Sequence, residues 1–188
     1  MTGIGAAMAG GNPRLGRADG EYYPTPTDVT RALLAAWRPT SPVVWEPACG
    51  CGAMARELYD AGCDVISSDL HDRGCGDVGV DFLKEKKKRS DCIITNPPFN
   101  LAAKFIAHAH DLGISEIALV LKSTYWHAST RRALWERRPP RLILPLLWRP
   151  DFLNRGSPTM DIMWCVWSAD PGPTEYRPLS RPASSIVQ

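Results

Sequence analysis

Asn96-Pro97-Pro98-Phe99 is the segment whose residue types most narrow the chemistry it can do. Neither proline has a backbone N–H, and each holds φ near one value. Asn96, preceding a proline, is driven toward an extended conformation. The turn is therefore rigid, and the polar groups it offers are acceptors: the Asn96 side-chain oxygen and the Pro97 carbonyl. Two acceptors can hold both hydrogens of a planar amino group and turn the nitrogen lone pair toward an incoming electrophile. Phe99 then adds a face on which a base can stack, a contact worth about 1–3 kcal/mol per base. An ordinary Pro-Pro loop is the competing reading.

Glu46-Pro47-Ala48-Cys49-Gly50-Cys51-Gly52 places glycines at alternate positions of a turn between an apolar run and a helical one. Glycine there admits open φ values and lets a ligand approach the main chain. Gly50, Gly52 and Ala55 satisfy G-x-G-x-x-A, and Asp69 follows at the distance of a ribose-binding acid, so a nicotinamide or flavin dinucleotide fold competes on this motif alone. An ionised Asp69 could accept both hydroxyls of an adenosine ribose. The six cysteines fall at no paired metal spacing, and Cys49 and Cys51 are one residue too close for a zinc pair. No metal is expected.

These segments need a frame. Thr25-Pro26-Thr27-Asp28 reads as a helix start, with Thr25 capping, Pro26 at the first helical position and Asp28 as the capping-box acid. Helices are expected from there to Trp37, over 53–61, 101–112 and 129–137. Strands are expected over 42–46, 64–68, 78–80, 91–95, 117–121, 142–147 and 162–167. Apolar strands alternating with helices imply a parallel sheet covered on both faces, and the last two strands, joined without a helix, imply an antiparallel edge pair. Ligands in such sheets bind beyond the carboxyl ends of the strands. Both motifs above lie at such ends.

The 188 residues carry 44% hydrophobic and 22% charged side chains, an ordinary soluble composition with room for one domain. That domain is expected over 21–169, between a flexible Gly-rich segment at 1–20 and a flexible Pro/Ser-rich tail at 170–188. No apolar run approaches the roughly 20 residues of a membrane helix, and no signal peptide is evident, so a cytoplasmic protein is expected. Net charge is only +2, but eight basic residues against two acidic ones lie between Lys122 and Met160. Such a surplus can attract phosphate, although solvated helix and loop ends also explain it. The run Lys84 to Arg89 reads as a solvated turn.

Taken together, the motifs resemble those of the S-adenosylmethionine-dependent amino-methyltransferases with a [D/N/S]-P-P-[F/Y/W] motif, especially the small phage-type N6-adenine DNA methyltransferases. The resemblance covers roughly residues 22–168 and keeps motif order. Tyr22-Tyr23-Pro24-Thr25-Pro26 is similar to the segment that closes over the methionine part of the cofactor. Glu46, Pro47, Ala48, Cys49, Gly50 and Gly52 match the acid-Pro-x-x-Gly-x-Gly cofactor loop, and Asp69, with Leu70 beside it, stands at the ribose-binding acid. Asp81-Phe82-Leu83 resembles the segment whose aspartate accepts from the adenine amino group, with Phe82 against the ring. Asn96, Pro97, Pro98 and Phe99 match the catalytic motif, Asn96 also bordering the cofactor.

The resemblance implies a seven-stranded, doubly wound methyltransferase sheet and methyl transfer to N6 of adenine in DNA, single- or double-stranded. Amino groups of RNA bases and a protein glutamine amide remain alternatives. A nicotinamide oxidoreductase or a non-catalytic nucleic-acid-binding relative would be another class, though both leave Asn96 to Phe99 unexplained. No separate target-recognition domain is evident. Arg131, Arg132, Arg149, Asn154 and Arg155 are the candidates for contacting DNA, so weak sequence preference is expected unless a partner subunit supplies recognition.

Overall fold

In the computed structural model, residues 23–154, 156, 158–170 and 172–183 are described. Expectations for residues 1–20, Tyr22 and Arg155 therefore lie outside the described residues. The order of elements is α1 (Thr27–Ala36), β1 (Val43–Glu46), α2 (Ala53–Asp60), β2 (Asp64–Asp69), β3 (Asp77–Val78), β4 (Cys92–Thr95), α3 (Ala102–Asp111), β5 (Glu116–Lys122), α4 (Arg132–Arg137), β6 (Leu142–Pro145), β7 (Ile162–Trp167) and β8 (Glu175–Tyr176). Short 3-10 turns lie at Phe82–Lys84, Tyr125–His127 and Ser129–Arg131.

The strands form one sheet in the order β3-β2-β1-β4-β5-β7-β6-β8. β3, β2, β1, β4 and β5 run parallel, and β7 is antiparallel to both β5 and β6. Every residue of β4 and β7 is buried, as is β5 up to Leu121. Successive β5 residues face opposite sides: Ile117, Leu119 and Leu121 pack with Phe105 and Ile106 of α3, while Ala118 and Val120 pack with Leu33 of α1 and Leu58 of α2. This is the doubly covered α/β sheet expected from the continuous apolar strands.

Several expectations are corrected. The sheet has eight strands, because residues 172–183 do not form a flexible tail. β8 adds in parallel to β6, Leu179 bridges to Leu146, and the Leu179 side chain is buried. Arg141 secures the segment, donating to the Pro173 carbonyl at 2.9 Å and pairing with Glu175 at 2.8 Å. The β6–β7 pair is consequently not at the sheet edge.

A further correction concerns the start of α1. Thr25 does not cap it; Pro26 occupies the cap position without a side-chain bond, and Thr27 is the first helical residue. The Thr25 hydroxyl is engaged elsewhere, by Asn96. Asp28 closes no capping box either. Its Oδ2 accepts from Trp148 Nε1 at 3.1 Å and from Arg181 Nε at 2.8 Å. The Lys84–Arg89 run is also partly structural: Arg89 pairs with Asp77 and Glu85, its guanidinium 5.5 Å from the centre of the Trp45 ring. Among the described residues, no helix is long and apolar enough to cross a membrane.

Leu179 is 6% exposed and packs on the sheet face that carries α1 and α2, so its truncation leaves a cavity beneath the added strand. Leu179→Ala should cost about 2 kcal/mol, the low end for a buried leucine. Urea denaturation checks this: the midpoint should fall with the slope unchanged. A cost near zero would mean the segment is not packed as described.

Candidate active site

The sheet changes winding direction between β1 and β4, since the chain passes outward to β2 and β3 on one side and to β5 on the other. The registers Val44↔Cys92 and Trp45↔Ile93 bring the carboxyl ends of these two strands side by side. A crevice opens there, where bound ligands are expected in this kind of sheet. It is a cavity of 480 Å³. Of the residues expected to bind a cofactor, Tyr23, Pro24, Thr25, Glu46, Pro47, Ala48, Cys49, Gly50, Asp69, Leu70, Asp81, Phe82 and Asn96 line it, together with Pro97, Pro98 and Phe99.

Among the described residues Gly52 is the exception, and its role is conformational. It sits at φ 77° as α2 begins, and a Cβ there would lie 2.5 Å from the Cys75 sulfur. The position therefore requires glycine so that the turn can form and Cys75 can approach. Cys49 lies in the same packing, its thiol donating to the Cys75 carbonyl at 3.3 Å. Burial, helped by the nearby Glu46 carboxyl, pushes the Cys49 thiol up, which leaves it poorly suited to act as a nucleophile.

Asp69 ties the glycine turn to the end of β2. Its Oδ2 accepts from Gly50 N–H at 2.8 Å and its Oδ1 from His71 N–H at 2.8 Å. The carboxylate is thereby fixed at the end of β2, and each oxygen keeps a further lone pair for a hydroxyl donor. Asp81 Oδ1 accepts from Leu83 N–H at 3.1 Å, and Oδ2 lies 3.3 Å from Lys84 Nζ. Phe82 borders the cavity from within the core, its ring centre 4.7 Å from that of Phe105 and 5.2 Å from that of Trp45.

Two buried oxygens at this cavity lack partners. Glu46, 2% exposed, accepts from the Ala55 backbone N–H, but its Oε2 has none. Burial pushes its carboxyl well above the usual range, with Asp69 adding in the same direction. Asn96 Oδ1 is likewise buried and unpaired. The Asn96 amide nitrogen is occupied, donating to Thr25 Oγ1 at 3.1 Å and to the Tyr23 carbonyl at 3.4 Å. Those two acceptors set the orientation of the side chain, so the oxygen is the end left over for another molecule. Phe99 is half-buried, with Tyr23 at 6.2 Å between ring centres and the Lys122 ammonium 5.1 Å from its own.

Of the residues expected to contact DNA, the four that are described (Arg131, Arg132, Arg149 and Asn154) do not line the cavity. Arg131 lies 4.7 Å from the centre of the Tyr125 ring, Arg132 pairs with Glu136, and Arg149 pairs with Asp161 at 2.7 Å. Asn154 is exposed at φ 50° in a turn built around Asp151. Met54, His71, Arg73, Val80, Leu101 and Phe105 line the cavity but carried no motif. The periodicity of α3 could have suggested that Leu101 and Phe105 share a face, although not that this face borders a ligand site.

No family model and no curated protein sequence matches the chain. Solved structures do. A protein from Listeria monocytogenes described as a class I S-adenosylmethionine-dependent methyltransferase superposes with a TM-score of 0.61 at 13% identity, over 93% of this chain and 70% of that one. An assigned RNA methyltransferase from Pyrococcus horikoshii gives 0.62 at 17%, over 82% and 90%. A protein from Vibrio vulnificus assigned as the modification subunit of a type I restriction enzyme gives 0.59 at 16%, over 87% of this chain but only 48% of its own length. The fold is thus an α/β, mostly parallel sheet of the class I methyltransferase kind.

The raised pKa of Glu46 has a direct consequence for stability. Its acid form is favoured on folding, a contribution present in full below the unfolded value of about 4.3 and lost as pH rises through the folded pKa. Glu46→Gln stays neutral throughout. The variant should therefore gain on the wild type in melting temperature between pH 4 and pH 8. A gap that does not change with pH would refute the burial of an uncompensated carboxyl.

Proposed function

We propose that the protein transfers a methyl group from S-adenosylmethionine to N6 of adenine in DNA, with little sequence preference. The observation that carries the reading is Asn96: its nitrogen is tied to Tyr23 and Thr25, and its buried oxygen is left unpaired at the cavity. An acceptor fixed in this way suits a substrate amino group. The resemblance of five ordered segments to the N6-adenine methyltransferases points the same way.

When bound, S-adenosylmethionine supplies an electrophilic methyl group on a sulfonium. The residues present fit this cofactor. Glu46, buried and half-satisfied, suits the cationic methionine end, and Asp69 the ribose hydroxyls. Asp81 suits the adenine amino group, with Phe82 behind it. Tyr23, Pro24 and Thr25 close the methionine side, where Asn96 forms the border with the acceptor. The Asn96 oxygen and the Pro97 carbonyl accept from the target amino group, and Phe99 stacks on its ring. Catalysis is then positioning and preorganised acceptors, with no covalent enzyme intermediate. An adenine within a duplex would have to be flipped out, at a cost of a few kcal/mol.

DNA is preferred as acceptor on the Tyr-Pro-Thr segment, in the order found in phage-type enzymes. One of the similar structures bears the name of a restriction-enzyme modification subunit and another that of an RNA methyltransferase. Those names support methyl transfer more firmly than the acceptor. Low specificity is supported by the internal pairing of Arg132 and Arg149, which engages two of the five side chains expected to reach DNA. A partner subunit would be the alternative source of recognition.

Labelled methyl groups should enter DNA, and not RNA or protein, when purified protein is incubated with each. Asn96→Ala should lower kcat at least about a hundredfold, the scale of one catalytic hydrogen-bonding group. Phe99→Ala should cause a comparable or greater loss of turnover, with both variants still binding S-adenosylhomocysteine in calorimetry. Full activity in both, or label confined to protein, would defeat the assignment. Sequencing of treated DNA should find N6-methyladenine in many contexts, and binding should weaken steeply with salt. Modification confined to one motif of four or more bases would show that the isolated chain reads sequence.

A further inference from the structure

We infer that Lys122 binds the phosphate flanking the target nucleotide, and so restricts the acceptor to a nucleic-acid base rather than a protein amide. The inference rests on the reading of Asn96 and Phe99 above and narrows its substrate class. Lys122 ends β5, which runs parallel beside β4 with Thr95 opposite Leu119. The carboxyl end of β5 therefore lies next to the Asn-Pro-Pro-Phe turn. The Lys122 ammonium sits 5.1 Å from the centre of the Phe99 ring, the platform for the acceptor.

No carboxylate pairs with Lys122 among the described residues, whereas Lys84 and Lys88 each face an aspartate. An unpaired ammonium beside the acceptor platform works against the reaction as it stands. Positive charge develops on the nitrogen as it takes the methyl group, and a cation close by in a partly desolvated site opposes it. The opposition disappears if the substrate itself brings an anion. A nucleotide does so through its phosphodiester; a glutamine side chain does not.

The present contact also suits displacement. A half-buried cation over an aromatic ring is held less tightly than a stacked base. A base arriving on Phe99 would move the ammonium off that ring, and the flexible four-carbon stem lets it turn to the adjoining phosphate. Nearby Arg131 is not equivalent, since its guanidinium is engaged over Tyr125.

The test is a cycle between protein and substrate. A fluorescent single-stranded oligodeoxynucleotide with one adenine is compared with the same oligonucleotide carrying a neutral methylphosphonate on either side of that adenine. Wild type should bind one of the two neutral forms about tenfold more weakly, the scale of one lost phosphate contact. Lys122→Met should bind the natural strand equally weakly, show no further loss with the neutral linkage, and lose about one from its salt slope. Lys122→Arg should behave as wild type. In steady-state methyl transfer, Lys122→Met should raise KM for DNA more than it lowers kcat. S-adenosylhomocysteine binding checks folding, and Lys122→Gln carries the same comparison should Lys122→Met unfold. An equal methylphosphonate penalty in wild type and in the charge-free variant would overturn the role of Lys122 while leaving DNA methylation intact. Methylation of a glutamine peptide but of no nucleic acid would instead overturn the functional reading itself.

Discussion

The parallel pairing of β1 with β4 places two chemically unlike strand ends in contact, and the site follows from that contact. β1 delivers Glu46 and the glycine turn; β4 delivers Thr95 and then Asn96. The crossovers from these strands lead to opposite sides of the sheet, so neither can cover the gap between the ends. A buried carboxyl and a buried amide oxygen then lie in one crevice, each short of a partner. Such groups cost stability unless they are satisfied, and in this arrangement a ligand can satisfy both.

What was legible in the sequence is what depends on local pattern. The unbroken apolar run of β5 could only be a strand covered on both faces, and Asn96-Pro97-Pro98 could only be a stiff turn. Gly50 and Gly52 both adopt positive φ, as a turn opening directly into a helix requires. Apart from Tyr23 to Thr25, which precede α1, the residues expected to bind a cofactor line one cavity because each of their motifs follows a strand of the same parallel set.

What was not legible depends on long-range partners. Thr25 has the right type and spacing for a helix cap, yet its hydroxyl serves Asn96, 71 residues away. Both uses are equally natural for a threonine, and only the fold decides between them. The basic stretch shows the same dependence, since sequence leaves Arg141 and Arg149 as surplus charge while the fold supplies Glu175 and Asp161 from beyond the stretch. The segment around β8 looked unstructured because it is rich in proline. Only two of its residues pair as a strand, and among its described residues Leu179 alone is buried. A contact set that small leaves no periodic signal.

Asp28 shows how these distant parts bear on the cavity. It accepts from Trp148, which begins the loop between β6 and β7, and from Arg181, beyond β8. The Arg181 side chain is 68% exposed, so that ion pair contributes little, on the order of 0–1 kcal/mol. The Trp148 bond is better shielded, in the packing around α1 that also takes in Trp164, whose indole donates to the Val29 carbonyl at 3.0 Å. The first turn of α1 is thus fixed to the far side of the sheet. Residues 23–25 lead directly into that turn, and they hold the Asn96 nitrogen. Phe152, from the same loop as Trp148, adds an edge contact to Tyr23 with ring centres 6.3 Å apart. The aim of the Asn96 oxygen is accordingly set by segments on both sides of β7, and the Asn-Pro-Pro-Phe turn cannot be understood from its four residues alone.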